Sequence, residues 1–196
     1  MTPPKDGKLL WHLTPLKNLE SIFQNGLLSR KKLAEMKENF LDVADHDILD
    51  SRSKFGLEHY IPFHFMQKTP FAGGVMKKHK DEEFIYLTLH RVTAKNNNFK
   101  IITKHPLNEG AEFYDNYDEG MTAINWELME DANRNYAIHE VKETCMAECV
   151  CHLEEIHISN FHCIYTKNKS AEKVVKSLAS KYGVEIHISV NEKLFV

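Results

Sequence analysis

Glu148 lies in the run Cys145-Met-Ala-Glu-Cys-Val-Cys151, a lone carboxylate among apolar side chains. Side chains alternate along an extended strand. Ala147, Cys149 and Cys151 would therefore face one way, and Glu148 would share the other face with Met146 and Val150. A carboxylate there is costly to desolvate unless something uses its charge. On an edge strand the same side chain would simply point to water. Arg52, in Asp50-Ser-Arg-Ser53, precedes an aromatic-rich run. Its guanidinium can hold a pyrophosphate with two parallel hydrogen bonds, although arginines on polar loops are mostly just solvated. His12 ends a short apolar run directly ahead of Thr14-Pro15, a helix-start signal. A ring donor beside unpaired helical N–H groups suits a polar or anionic ligand, against the commoner structural role of an isolated histidine.

Cys145, Cys149, Cys151, His152, His157, His162 and Cys163 are numerous enough to suggest zinc. Their C-x3-C-x-C-H spacing matches no usual knuckle, and a regular strand would point Cys149 and His152 to opposite sides. We expect no metal, and small cysteines packed in a β core.

The elements that must position these residues follow from periodicity. Lys8 to Leu13 reads as a buried strand, and Thr14-Pro15 as the N-cap and first position of a helix. Leu16, Leu19, Ile22 and Phe23 share one face of that helix, which Asn25-Gly26 ends. Ser29 to Phe40 reads as a charged surface helix, and Leu41 to Glu58 as a mobile loop. Strands are expected at Tyr60–Met66, Glu83–Leu89, Phe99–Thr103, Thr144–Cys151, Glu155–Ser159, Phe161–Tyr165 and Val184–Val190. Lys68 to Lys78 reads as a helix or turn around Gly73-Gly74. Ala171 to Tyr182 reads as an amphipathic helix with Val174, Val175, Leu178 and Ala179 as its stripe and Gly183 as its stop. Many strands with few, unevenly placed helices imply an α+β fold.

Length and composition fit a single domain over residues 1–196. A net charge of −3 argues against bulk charge holding nucleic acid. Two local basic runs, Arg30-Lys31-Lys32 and Lys77-Lys78-His79-Lys80, read first as solvated surface. No apolar run approaches the roughly 18 residues of a membrane span, and the polar start lacks the apolar core of a secretory signal. Crowded cysteines make a poor disulfide framework, so we expect a reduced, cytoplasmic protein away from membranes.

Together these segments resemble the DarT toxins, bacterial ADP-ribosyltransferases that act on nucleic-acid bases. The similarity runs through Trp11-His-Leu-Thr14, Leu16-Lys-Asn-Leu-Glu-Ser-Ile22 and Asn25-Gly-Leu-Leu-Ser29. It continues through Asp50-Ser-Arg52, His59-Tyr-Ile-Pro-Phe-His-Phe65, Thr69-Pro-Phe71, Ile124-Asn-Trp-Glu-Leu-Met129 and Met146-Ala-Glu-Cys-Val150. The resemblance implies the ADP-ribosyltransferase fold, two small split β-sheets with flanking helices around an NAD⁺ cleft. His12, Leu13 and Thr14 would contact the nicotinamide and its ribose, with Asn18 and Ser21 along the same wall. Arg52 would bind the phosphates of NAD⁺ and assist proton removal from the target base. Glu148 would hold the 2′-hydroxyl of the nicotinamide ribose. Glu35 to Arg52 would close over NAD⁺, and Leu107 to Cys145 would present the substrate. Tyr60, Phe63, Phe65, Phe71, His79, Phe113 and Tyr114 offer rings for a base to stack on, most of them expected in the core.

The resemblance also implies NAD⁺ as co-substrate, single-stranded DNA as acceptor, a macrodomain antitoxin as partner and a role in toxin–antitoxin or anti-phage defence. Here His64 stands where the family has an aromatic residue, and Glu140, Lys142 and Glu143 where it is arginine-rich. The sequence therefore leaves open thymine or guanine, and DNA or RNA. It also leaves open transfer to protein, and an inactive relative that only binds nucleotide or a partner.

Overall fold

A computed structural model describes residues 3–36, 52–53 and 56–195. The strands are β1 (Leu9–Pro15), β2 (Leu27–Leu28), β3 (Ile61–His64), β4 (Phe84–His90) and β5 (Lys100–Ile102). They continue with β6 (Phe113–Tyr114), β7 (Glu148–Cys151), β8 (Glu155–Ile156), β9 (Cys163–Thr166) and β10 (His187–Val190). The α-helices are α1 (Leu19–Asn25), α2 (Arg30–Met36), α3 (Pro70–Lys78) and α4 (Arg91–Asn96). After them come α5 (Tyr117–Ala123), α6 (Trp126–Glu130), α7 (His139–Thr144) and α8 (Lys169–Tyr182).

Eight strands form one sheet in the order β10-β9-β4-β1-β3-β7-β5-β6, while β2 and β8 form a separate antiparallel pair. Every neighbour in the large sheet is antiparallel except β9 and β10, which are parallel and joined through α8. The split expected of the fold takes the form of a seam inside this sheet. β1 and β4 pair along their whole length, from Leu9↔His90 to Pro15↔Phe84. β1 and β3 meet at a single position, Trp11↔His64. Beyond that position the two strands splay.

The registers align one transverse row through all eight strands: His187, Cys163, Thr88, Trp11, His64, Glu148, Ile102 and Phe113. Residues directly opposite across strands share a face, so Glu148, His64 and Phe113 stand on the same side. The core lies mainly on the other side. Ala147, Cys149 and Cys151 pack there with Phe63, Ile101 and Leu10, while Val150, on the Glu148 side, packs with Leu57 and Ile102.

Several boundaries differ from those expected. Thr14-Pro15 does not open a helix. Both residues stay in β1 because their ladder with β4 continues, and Leu16 then donates its N–H to the Glu83 carbonyl at 2.7 Å. A 3-10 turn, Leu16–Asn18, precedes α1, with no side-chain cap on either element. Gly26 does end α1, at φ 79°. The run Thr144–Cys151 divides: α7 takes Thr144, and the strand begins at Glu148. Glu155–Ser159 likewise shortens to β8, followed by a 3-10 turn from Ile158. On α8, Val175 and Ala179 are buried, but Val174 is 44 % exposed and leaves the stripe. Gly73 and Gly74 sit inside α3, which Thr69 caps by accepting the Ala72 N–H. Most of the segment expected to close over NAD⁺, residues 37–51, lies outside the described residues.

Candidate active site

Glu148 is the first residue of β7, flanked by β3 and β5, so the edge-strand reading does not hold. The residue is 5 % exposed. Arg52, helical and also buried, grips it from a position 96 residues away. Nη1 donates to Oε1 at 2.8 Å and to Oε2 at 3.1 Å, and Nη2 donates to Oε2 at 3.1 Å. Burial by itself would raise the Glu148 carboxyl. The Arg52 charge and hydrogen bonds, with His64 and His105 nearby, outweigh that and hold it below the usual carboxylate range. The carboxylate is therefore charged, dry and pre-positioned.

His64 is the cross-strand partner of Glu148. Its Nδ1 lies 3.2 Å from the Ala147 carbonyl. A carbonyl only accepts, so Nδ1 carries the hydrogen and Nε2 keeps a lone pair in the neutral ring. The ring leans on Phe71 at 5.4 Å between centroids. Burial lowers its pKa against the pull of Glu148, so His64 is neutral at neutral pH.

The seam between β1 and β3 opens into a pocket. His12, Leu13 and Thr14 line it from β1, Ile61, Pro62 and His64 from β3, and Asn18, Ser21 and Ile22 from the turn and α1. Leu27, Leu28, Arg30, Tyr60 and Phe71 are also part of its lining. All five residues expected to contact NAD⁺ along this wall (His12, Leu13, Thr14, Asn18 and Ser21) thus come together. Arg30, read first as solvated surface, lines the same pocket. His12 donates from Nδ1 to the Pro62 carbonyl at 2.8 Å, straddling the seam. Burial lowers its pKa to about 4, leaving a neutral ring with an acceptor nitrogen. Glu148 and Arg52 are not in the pocket wall, but His64 belongs to that wall and is the neighbour of Glu148 across the strands.

Sequence reasoning missed His64 and His105 as members of this site. His105, which feels both Glu148 and Arg52, is held by its N–H to the Glu143 carbonyl at 2.9 Å. The available signal was a histidine inside the apolar strand Ile61–His64. Of the stacking candidates, Phe63 and Phe65 are core, Phe71 and Tyr60 line the pocket, and Phe113 is exposed. Among the described residues no group of three or more histidine, cysteine, aspartate or glutamate side chains is placed to hold a metal ion.

A sheet that splays between two strands, with a buried glutamate on the next strand beside a pocket of mixed polarity, matches the arrangement that the resemblance implied for an ADP-ribosyltransferase. The chain belongs to the DarT family: the family model for "ssDNA thymidine ADP-ribosyltransferase, DarT" matches residues 11–196. Three solved structures share its fold. Thermus sp. 2.9 DarT in complex with ADP-ribosylated ssDNA superposes with TM-score 0.81 at 15% identity, covering 96% of each chain. Thermus sp. 2.9 DarT in complex with NAD⁺ gives 0.77 at 14%, covering 97% of this chain and 98% of that one. Thermosipho africanus DarTG in complex with ADP-ribose gives 0.75 at 17%, covering 96% of this chain but 51% of that one. No curated protein matches the sequence.

Proposed function

We propose that this protein transfers ADP-ribose from NAD⁺ to thymine in single-stranded DNA, with Glu148 and Arg52 at the reaction centre and the seam pocket holding NAD⁺. The observation that carries this reading is the buried Glu148 carboxylate, kept charged beside a pocket whose wall fits a nucleotide. His12 and Thr14 offer hydrogen-bonding groups for amide and ribose, and Leu13, Leu27 and Ile61 give apolar surface for the nicotinamide ring. Arg52 exchanges Glu148 for the pyrophosphate when NAD⁺ enters, which releases the carboxylate to accept the ribose 2′-hydroxyl.

The bond from C1′ to the nicotinamide nitrogen then breaks, and its electron pair leaves with nicotinamide. Positive charge grows on the ribose, and a fixed carboxylate in a dry site stabilises it where it develops. N3 of thymine attacks C1′ and loses its proton. The neutral His64, the cross-strand neighbour of Glu148, keeps a lone pair on Nε2 and is suited to take that proton. Arg52 assists by its charge.

Membership of the DarT family and the shared fold with Thermosipho africanus DarTG support a role as the toxin of a toxin–antitoxin or anti-phage pair, with a macrodomain antitoxin that reverses the mark. No helix among the described residues is long and apolar enough to cross a membrane. The test is incubation of labelled NAD⁺ with thymine-containing and thymine-free oligonucleotides. Wild type should add one ADP-ribose to thymine only, and Glu148→Gln should lower the rate about a thousandfold. Label on RNA or protein alone would move the substrate. Full activity in Glu148→Gln would remove that residue from the centre.

A further inference from the structure

The site extends past Glu148 along its own row. Ile102 lies opposite Glu148, and Phe113 lies opposite Ile102 on the last strand of the sheet. Two strand spacings put Phe113 about 10 Å from Glu148 on the same face. It is 44 % exposed, among the few large apolar side chains left open to solvent. Tyr60, which lines the NAD⁺ pocket, meets it edge-on at 5.9 Å between ring centroids. Lys100 sits over both rings, its Nζ 5.8 Å from the Tyr60 centroid and 5.5 Å from the Phe113 centroid. Asp115 pairs with Lys100, so the ledge carries no net charge. An isolated apolar ring needs no partner, but this one continues the reaction row and is joined by a pocket ring and a cation.

Resting on the reading that the acceptor is single-stranded DNA, we propose that Phe113 is a stacking subsite for a base flanking the modified thymine, with Tyr60 and Lys100 as its backing. Every nucleobase has a face to stack on, so the ledge holds the strand without choosing its sequence. Because Lys100 is already neutralised by Asp115, the contribution comes from stacking and not from phosphate attraction, and it keeps its size as salt rises.

The experiment uses wild type, Phe113→Ala and Phe113→Trp with oligonucleotides carrying 2-aminopurine or an abasic nucleotide on either side of one thymine. Binding is read by quenching of the 2-aminopurine, and transfer by the KM for DNA. Wild type should quench, and an abasic neighbour should weaken its binding about tenfold. Phe113→Ala should lose the quench, bind about tenfold more weakly at low and high salt alike, and be indifferent to the abasic site. Phe113→Trp should restore all three. Wild-type transfer to DNA with an unchanged quench in Phe113→Ala would overturn the subsite and leave the enzyme reading standing. A Phe113-dependent quench without transfer would do the reverse. No binding of DNA by the wild type would overturn both.

Discussion

Two imidazoles set how the site responds to acid. His12 titrates near 4 instead of 6.5, and His64 is lowered as well, in each case first because burial disfavours the charged ring. Glu148 pulls both upward and Arg52 pushes His64 down, but burial wins. A proton acceptor works only when unprotonated. Transfer should therefore hold level as pH falls through 6.5 and decline only in more acid solution. The unfolded chain takes up these protons first, so stability should start to fall at 6.5 and, for His12, go on falling to about 4. A pH–rate profile with NAD⁺ and DNA saturating, alongside urea denaturation at each pH, checks both; a rate already halved at 6.5 would take His64 out of the proton's path. Much of this was readable beforehand. Alternation in Cys145–Cys151 gave the facing of Glu148, and His12, Leu13 and Thr14 stood next to one another. The Arg52 clamp was not, because nothing local records a contact between residues 96 positions apart. His64 becomes a neighbour of Glu148 only once the register of β3 on β7 is known.

Among the elements, α5 has the tightest demand on its sequence. Gly120 faces the β5–β6 ladder so closely that a Cβ there would collide with the Ile101 side chain and come within 2.9 Å of Tyr114 Cβ. Gly120→Ala must lift α5 or shift the ladder, at a cost of about 1–3 kcal/mol. Urea denaturation should show that loss, and a shifted β6 should weaken DNA binding more than NAD⁺ binding. An unchanged midpoint would mean that the helix moves freely. Long elements with one clear pattern were foreseen: α8 from its stripe and Gly183, β4 from its apolar run. Short ones were not. The helices α4, α6 and α7 span five or six residues, too few for a helical period to show. β6 is two residues long, and its position depends on pairing with β5. The start of α1 was misplaced because a strong local signal, Thr14-Pro15, lost to a strand ladder whose partner lies some seventy residues on.

At the scale of the whole molecule, the α+β class followed from the mixture of elements, but the seam did not. The seam depends on how few positions β1 and β3 share, a matter of three-dimensional twist. It also divides the sheet mechanically. On one side β10, β9, β4 and β1 are tied by full ladders, and on the other β3, β7, β5 and β6 are tied together. The four cysteines are all free and buried. Burial pushes Cys151 and Cys163 up to about 11 and raises Cys149 well above the ordinary thiol range, so in the closed state they resist alkylation. Cys163 belongs to the first group of strands, and Cys149 and Cys151 to the second. These thiols are thus clocks placed on either side of a fault line. If the two halves open as separate units, iodoacetamide in mild urea should label Cys163 at one rate and the Cys149–Cys151 pair at another, as read by peptide mass. A single shared rate would mean that the core packed across the seam, together with the one pairing of Trp11 against His64, makes eight strands break as one.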